Sequence, residues 1–309
     1  MNFLQRERSE HVMLSLCMSR SVSIVGAGRL GRALGRSLRR LGWRIGAVVT
    51  RSTAHSRAAV RTIGAGRPLA TLTSEVMDAD VILLLTPDDV LAEVARRFAM
   101  LAGKKCRGKI VLHGSGALDS KVLQSLARCG AAIGSIHPMQ TFTNNSQPNL
   151  KGVIFAIEGH PRARRAAAGI ARSLGGIPVA VASNSKPAYH AAGTLVAGHA
   201  LALTEAAAQT LIKAGFSRAQ AVQTLLPLMR QMLDNFEKHG PSAAWTGPAS
   251  RGDYATLKKH QHALRRHPRE FGDSYEALLR LSARVLAKNP AAALKKLDRA
   301  VKNSGRNSL

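Results

Sequence analysis

Apolar positions come in short runs early in the chain and at helical spacing later on. Val22–Val25 is a compact apolar run. It ends in Gly26-Ala27-Gly28-Arg29-Leu30-Gly31, and Ala33, Leu34, Leu38 and Leu41 then recur at the spacing of a helix face. Ile45–Val49 predicts a second strand. Val81–Leu85 is a continuous apolar strand of the kind buried on both faces of a parallel sheet. Asp88–Met100 reads as a helix, and Ile110–Leu112, Ala131–Ile136, Val153–Ile157 and Ile177–Val181 as strands, with a helix over Arg162–Leu174. Beyond Ser185 the pattern is helical throughout. Pro187–Ala214 comes first, then Gln220–Lys238 with a kink expected at Pro227, then Tyr254–His262, Ser274–Lys288 and Ala291–Val301.

Strands alternating with helices, followed by helices alone, predict an α/β fold: a doubly wound Rossmann-type sheet followed by an all-α C-terminal domain. The expected divisions are a loose N-terminal tail over 1–20, a dinucleotide-binding domain over 21–182, a helical substrate and dimerisation domain over 183–302, and a frayed tail over 303–309. The stretch Ala191–Leu211 is apolar nearly all round, so it must be covered on most of its surface. A homodimer through the helical domain is the simplest cover.

Composition narrows the function classes. Of 309 residues 45% are hydrophobic and 20% charged, which excludes a disordered or fibrous chain. The longest uncharged apolar stretches, Val81–Thr86 and Ala191–Leu203, fall short of a membrane span, so no membrane partner is expected. A formal charge of +27 favours anionic partners. With 4% aromatics and no basic block on a binding motif, nucleic acid is not among the expected ones. Cys17, Cys106 and Cys129 are odd in number and lack Cys-x-x-Cys spacing, which points to a reducing cytoplasm rather than disulfides or structural zinc. The first twenty residues lack the features of a signal peptide.

The glycine motif has the context that gives it meaning, because it follows a strand and opens a helix. Gly26 permits the tight turn, Gly28 lets the backbone approach a pyrophosphate, and Gly31 lets the helix pack on the strand. The free N–H groups of the helix start, from Ala27 to Gly31, suit phosphate. After the second strand an NAD-selective site would place an acid. Here the chain reads Val49-Thr50-Arg51-Ser52-Thr53, followed by Arg57. Arg51 can pair with a 2′-phosphate and Ser52 can donate to it, which favours NADP over NAD.

Ligands in such sheets sit outside the carboxyl ends of the strands. Those ends carry Thr86-Pro87-Asp88, His113-Gly114-Ser115-Gly116 and His137-Pro138-Met139-Gln140-Thr141. His113 and His137 have no third partner at metal-ligand spacing, so no metal is expected. Ser185 is a candidate N-cap for the long helix. Lys186 and His190, four apart, share one helical face that Gly193 and Ala197 leave open. Lys186, His190, His113 and His137 are the candidate proton donors, with no choice made among them. Ser115 and Arg251 are the candidate substrate contacts, Arg251 alternatively pairing with Asp253.

Ser21–Gly31, His137–Phe142, Tyr189–Ala192 and Thr246–Asp253, in this order, resemble the uncharacterised Rossmann-like NADP oxidoreductases that carry a C-terminal helical domain of unknown function. That family is similar to the pyrroline-5-carboxylate reductase and hydroxyacid dehydrogenase superfamily, in which NADP binds the first domain and helical domains form dimers. The chain departs from the pattern at Gly198, where relatives often carry Asn. The resemblance implies an NADP-dependent oxidoreductase acting on a small, anionic carbonyl, imine or alcohol. The alternative is a non-catalytic NADP-binding sensor or scaffold.

Overall fold

The computed structural model describes residues 21–144 and 148–305, with side chains through residue 299. The expected tail 1–20, Cys17 and residues 306–309 lie outside the described residues. The chain divides into two compact units, Met1–Ala197 and Gly198–Leu309.

The first unit is built on an eight-stranded sheet: β1 (Ser21–Val25), β2 (Arg44–Val49), β3 (Arg67–Leu69), β4 (Val81–Leu84), β5 (Ile110–His113), β6 (Ala132–Pro138), β7 (Ile154–Gly159) and β8 (Ile177–Ala180), in the order β3-β2-β1-β4-β5-β6-β7-β8. β6 and β7 pair antiparallel and the remaining neighbours parallel. This is the doubly wound arrangement with one reversal near its edge.

Side chains alternate across the sheet and divide the core into two layers. Val22, Ile24, Val81, Leu83 and Leu112 join Leu34 and Leu38 of α1 (Arg29–Arg40), Ile63 of α2 (Thr53–Ile63), Phe155, and Ile170 of α5 (Pro161–Ser173). Val25, Ile82, Leu84 and Val111 face Leu91 and Phe98 of α3 (Asp88–Ala102) and Leu126 of α4 (Gln124–Arg128). Each such side chain contributes about 1.5–3 kcal/mol by leaving water. Free Cys106 and Cys129 belong to this second layer.

In the sheet unit the α-helices and strands without a counterpart in the expected pattern are α2, β3 and the five-residue α4. α2 buries only Ser56, Ala59 and Ile63, too little apolar material to show as periodicity. Its start is set by Ser52, whose hydroxyl accepts the His55 N–H. β3 is short, carries Pro68, and is tolerated because it lies at the sheet edge.

α6 (Lys186–Thr194), a π-helical turn (Leu195–His199) and α7 (Ala200–Lys213) follow one another without a break. Ser185 does precede α6, yet its side chain makes no cap bond and points to Asn184 Oδ1 instead (3.4 Å). The run Ser183–Lys213 is long and apolar enough to cross a membrane by length and composition, more than the uncharged run Ala191–Leu203 suggested. Only 6% of its most apolar stretch is buried.

The second unit is helical: the remainder of that run, α8 (Arg218–His239), α9 (Tyr254–Leu264), α10 (Arg269–Val285), α11 (Pro290–Gly305), and single turns at Pro241–Ala244 and Pro248–Arg251. α8 starts with a capping box between Ser217 and Gln220 and continues as one helix through Pro227. α11 continues through Gly305, so residues 303–305 are helical where a frayed tail was expected.

Candidate active site

The chain enters the dinucleotide turn from β1. Gly26 has φ +90°, and a Cβ there would lie 2.6 Å from the Leu85 carbonyl, so no other residue fits without strain. A Cβ at Gly31 would lie 2.8 Å from the Gly26 oxygen, which is the close helix–strand packing that the motif requires. At Gly28 a Cβ would meet nothing within 4 Å. That open approach adjoins the start of α1, which has no side-chain cap and no acid in its first turn. The orphan N–H groups there and the positive end of the helix dipole are suited to an anion.

Thr86, beside Gly26 at the end of β4, keeps a buried hydroxyl with no hydrogen-bond partner among the described residues. Arg51 is exposed just beyond β2. No Asp or Glu occurs anywhere from Ser21 through Ser74. Of the residues expected to share the work, Ser52 is already engaged as the cap of α2 and with His55 Nδ1 (2.9 Å), and Arg29 Nε donates to Asn144. Arg51, the open Gly28 backbone and the bare start of α1 remain as the groups that could hold a nucleotide phosphate.

The turn after β5 packs against this region, since a Cβ at Gly114 would lie 2.6 Å from Leu85 Cδ2 and 3.1 Å from Leu30 Cδ2. Its keystone is Ser115. The hydroxyl donates to Asp88 Oδ2 (2.7 Å) and accepts the amides of Ala117 and Leu118. Its N–H donates to His113 Nδ1 and its carbonyl accepts from Lys186 Nζ (3.0 Å). Ser115 is thus committed to the turn and is not free to contact a substrate.

His113 is fully buried. Because Nδ1 accepts from Ser115, the proton sits on Nε2, which donates to the Asp119 carbonyl (3.2 Å). Burial, then the nearby Lys186, push the imidazole down to about 3. Both nitrogens of His113 are thus engaged within the protein and the ring is held neutral.

Lys186 is likewise fully buried, its ammonium donating to the Ser115 carbonyl and to Ser135 Oγ (2.9 Å). Burial lowers its pKa, opposed by Glu158, Asp119 and Asp88. Glu158 accepts from the Ser120 amide and hydroxyl (2.8 and 2.7 Å), from Ser183 Oγ (3.0 Å) and from Ser135 Oγ (3.5 Å). The shared face expected for Lys186 and His190 therefore separates into one interior group and one exposed group.

His137, at the end of β6, is half-buried. Its Nδ1 lies 3.1 Å from the Tyr189 hydroxyl, which also donates to the His137 carbonyl (3.3 Å). Burial, followed by His190 and Lys186, depresses His137 to about 4. Burial raises the Tyr189 phenol to about 12. His190 is exposed on α6 with its ring edge-on to His137, centroids 5.6 Å apart. Gly116 closes the pair: a Cβ there would lie 2.5 Å from His190 Cδ2 and 2.8 Å from His137 Nε2. Gly193 serves a nearby contact, since a Cβ there would lie 2.6 Å from Met139 Sδ.

The structure thus brings His113, Ser115, His137, Lys186 and His190 together at the carboxyl ends of β5 and β6. Arg251 belongs to the second unit, exposed on its short turn near Asp253, which caps α9 through Thr256. Sequence reasoning overlooked Tyr189, Asp88, Ser135, Glu158 and Gly116. Tyr189, Gly116 and Asp88 stand inside the motifs at the strand ends and the start of the long helix. Glu158 sits on the antiparallel strand, which no motif marks. Among the described residues no group of three or more His, Cys, Asp or Glu could hold a metal ion.

Residues 9–138 match a Rossmann-like domain, and residues 153–281 match a domain of unknown function, DUF2520. The cluster straddles the two: His113, Ser115 and His137 come from the first match, Glu158, Lys186, Tyr189 and His190 from the second. Many solved structures share the fold, among them the following three. An NADP oxidoreductase, so described, from Bacteroides fragilis is 22% identical, with TM-score 0.72 over 85% of this chain and 98% of that one. An imine reductase from a Pseudomonas species is 21% identical, with TM-score 0.63 over 90% and 99%. A reductive aminase from Aspergillus terreus, in complex with NADPH and ethyl-5-oxohexanoate, is 15% identical, with TM-score 0.64 over 90% and 99%. The chain thus combines a match to a Rossmann-like domain with a match to a DUF2520 domain.

Proposed function

We propose that this protein is an NADP(H)-dependent oxidoreductase acting on a small, anionic carbonyl or imine, or on the corresponding alcohol. The observation that carries the reading is the dinucleotide turn: an open backbone at Gly28, an uncapped start of α1, and Arg51 beyond β2 with no acid from Ser21 through Ser74. The cofactor named in the Bacteroides fragilis and Aspergillus terreus structures supports it, as does the +27 charge for an anionic substrate.

In this reading the Gly26–Gly31 turn, including Ala27 and the amides of Arg29 and Leu30, holds the pyrophosphate, and the unsatisfied Thr86 hydroxyl faces the same ligand. Arg51 pairs with the 2′-phosphate. The nicotinamide, when bound, supplies the hydride. His190, the exposed imidazole of the cluster, gives the proton to the substrate oxygen or nitrogen, and His137 and Tyr189 orient it. A second copy of the chain covers the exposed apolar faces of the helical unit, which accounts for a membrane-length helix in a cytoplasmic enzyme.

Calorimetry tests the cofactor. NADPH should bind more tightly than NADH, and Arg51→Asp should weaken NADPH roughly tenfold or more, through loss of a charge-assisted bond of about 1.5–3 kcal/mol, while sparing NADH. Equal or tighter binding of NADH by the wild-type protein rejects the assignment. Against a panel of keto acids, aldehydes and cyclic imines, His190→Ala should retain NADPH binding and lose turnover by about a hundredfold.

A further inference from the structure

Lys186 is the anomaly of the cluster. A fully buried ammonium normally has a carboxylate partner, because desolvating a lone charge is costly. Here both acceptors are neutral, the Ser115 carbonyl and the Ser135 hydroxyl, and Glu158 stands one hydroxyl further away. The acceptors sit on different elements. Ser115 belongs to the turn after β5, Ser135 to β6, and Lys186 is the first residue of α6. One residue beyond Ser115 lies Gly116, pressed against His137 and His190. One helical turn beyond Lys186 lies His190 itself.

The surrounding charges come from every packed element: Asp88 from α3, His113 from β5, Asp119 from the loop that follows, His137 from β6, Glu158 from β7, and Tyr189 and His190 from α6. Both Asp88 and Glu158 are occupied by serine hydroxyls. No carboxylate in this set bonds Lys186, and no N–H of Lys186 is shared with an imidazole.

We propose that Lys186 is a positioning residue, whose buried ammonium ties the start of α6 to the His113–Leu118 turn, clamps Gly116 against the His137–His190 pair, and fixes a positive charge behind His137. It does not donate the catalytic proton. The inference rests on the reading above for its place in a reaction, yet its test involves neither cofactor nor substrate, so the two can fail independently.

Reductive methylation of the native protein with formaldehyde and a borane reagent, followed by peptide mass spectrometry, comes first. Exposed Lys104 and Lys105 should react while Lys186 stays unmodified until the protein is unfolded. Modification of Lys186 at the rate of the surface lysines overturns the proposal. Imidazole carbon signals of the intact protein then report on the pair. In Lys186→Met, loss of the charge should raise the His137 midpoint by on the order of half a pH unit and shift the His190 signal, with Lys186→Arg restoring the wild-type midpoint. If Lys186→Met does not fold, the wild-type protein decides. As pH rises and the Lys186 ammonium loses its proton, the His137 signals should move with that midpoint. His137 signals that ignore the charge on Lys186 overturn the positioning role.

Discussion

The two units answer the hydrophobic effect in opposite ways. In the sheet unit Val22, Ile24, Leu34, Leu83, Leu84, Leu112 and Phe155 are completely buried, and even the polar His113 and Lys186 are sealed inside. In the helical unit the buried apolar residues are Ala208, Ala221, Leu257, Ala283 and Leu297, small ones for the most part. Leu201, Leu228, Leu233 and Phe236 remain more than half exposed. A parallel sheet covered on both faces completes its core within one chain. Helices with apolar residues on several sides have no such closure within their own unit. The sheet unit therefore closes its core within one chain, and the helical unit leaves apolar side chains exposed.

The largest effect should come from charging that exposed surface. Light scattering at micromolar concentration should give the wild-type protein twice the mass of one chain, and Leu228→Glu with Leu233→Glu should return it to one. A monomeric wild-type protein removes the basis of the comparison. Within the sheet unit, Phe155→Ala should cost about 3–5 kcal/mol in urea unfolding, the usual consequence of emptying an aromatic site in a closed core.

Acid should act on the sheet unit through its buried imidazoles. The unfolded chain carries both at the ordinary 6.5, whereas the folded protein holds His113 at about 3 and His137 at about 4. Between those limits the unfolded state binds more protons, so stability falls as pH falls below 6.5 and is recovered above it. The slope reaches up to about 1.4 kcal/mol per pH unit for each group. His113→Phe should flatten the urea-midpoint profile between pH 4 and 6.5. An unchanged slope in a folded variant would reject the assignment.

Most of the fold was legible because it rests on periodicity. Alternating burial on β1, β4 and β5 follows from runs such as Val81–Leu84, and the glycine spacing located the turn before α1. α2 and β3 were not legible: Ser56 and Ala59 do not register as apolar signal, and an edge strand with Pro68 resembles a loop. At the candidate site the named residues do come together at the ends of β5 and β6, but their hydrogen bonding was not legible. Ser115, His113 and Lys186 look like reactive groups by residue type, yet hydrogen bonds to Asp88, Asp119 and Ser135 engage all three.

By itself the sequence determined what depends on local order: which segments become strands or helices, where only glycine can turn, and that no acid stands beside Arg51. These follow from near-neighbour sterics and from side-chain period. Tertiary structure alone decided which polar groups meet water. Glu158 reaches the cluster because β7 runs antiparallel to β6, and Lys186 is interior because the start of α6 is drawn onto the ends of β5 and β6. Protonation and reactivity depend on solvent and on charges distant in sequence, so residue type alone could not assign them.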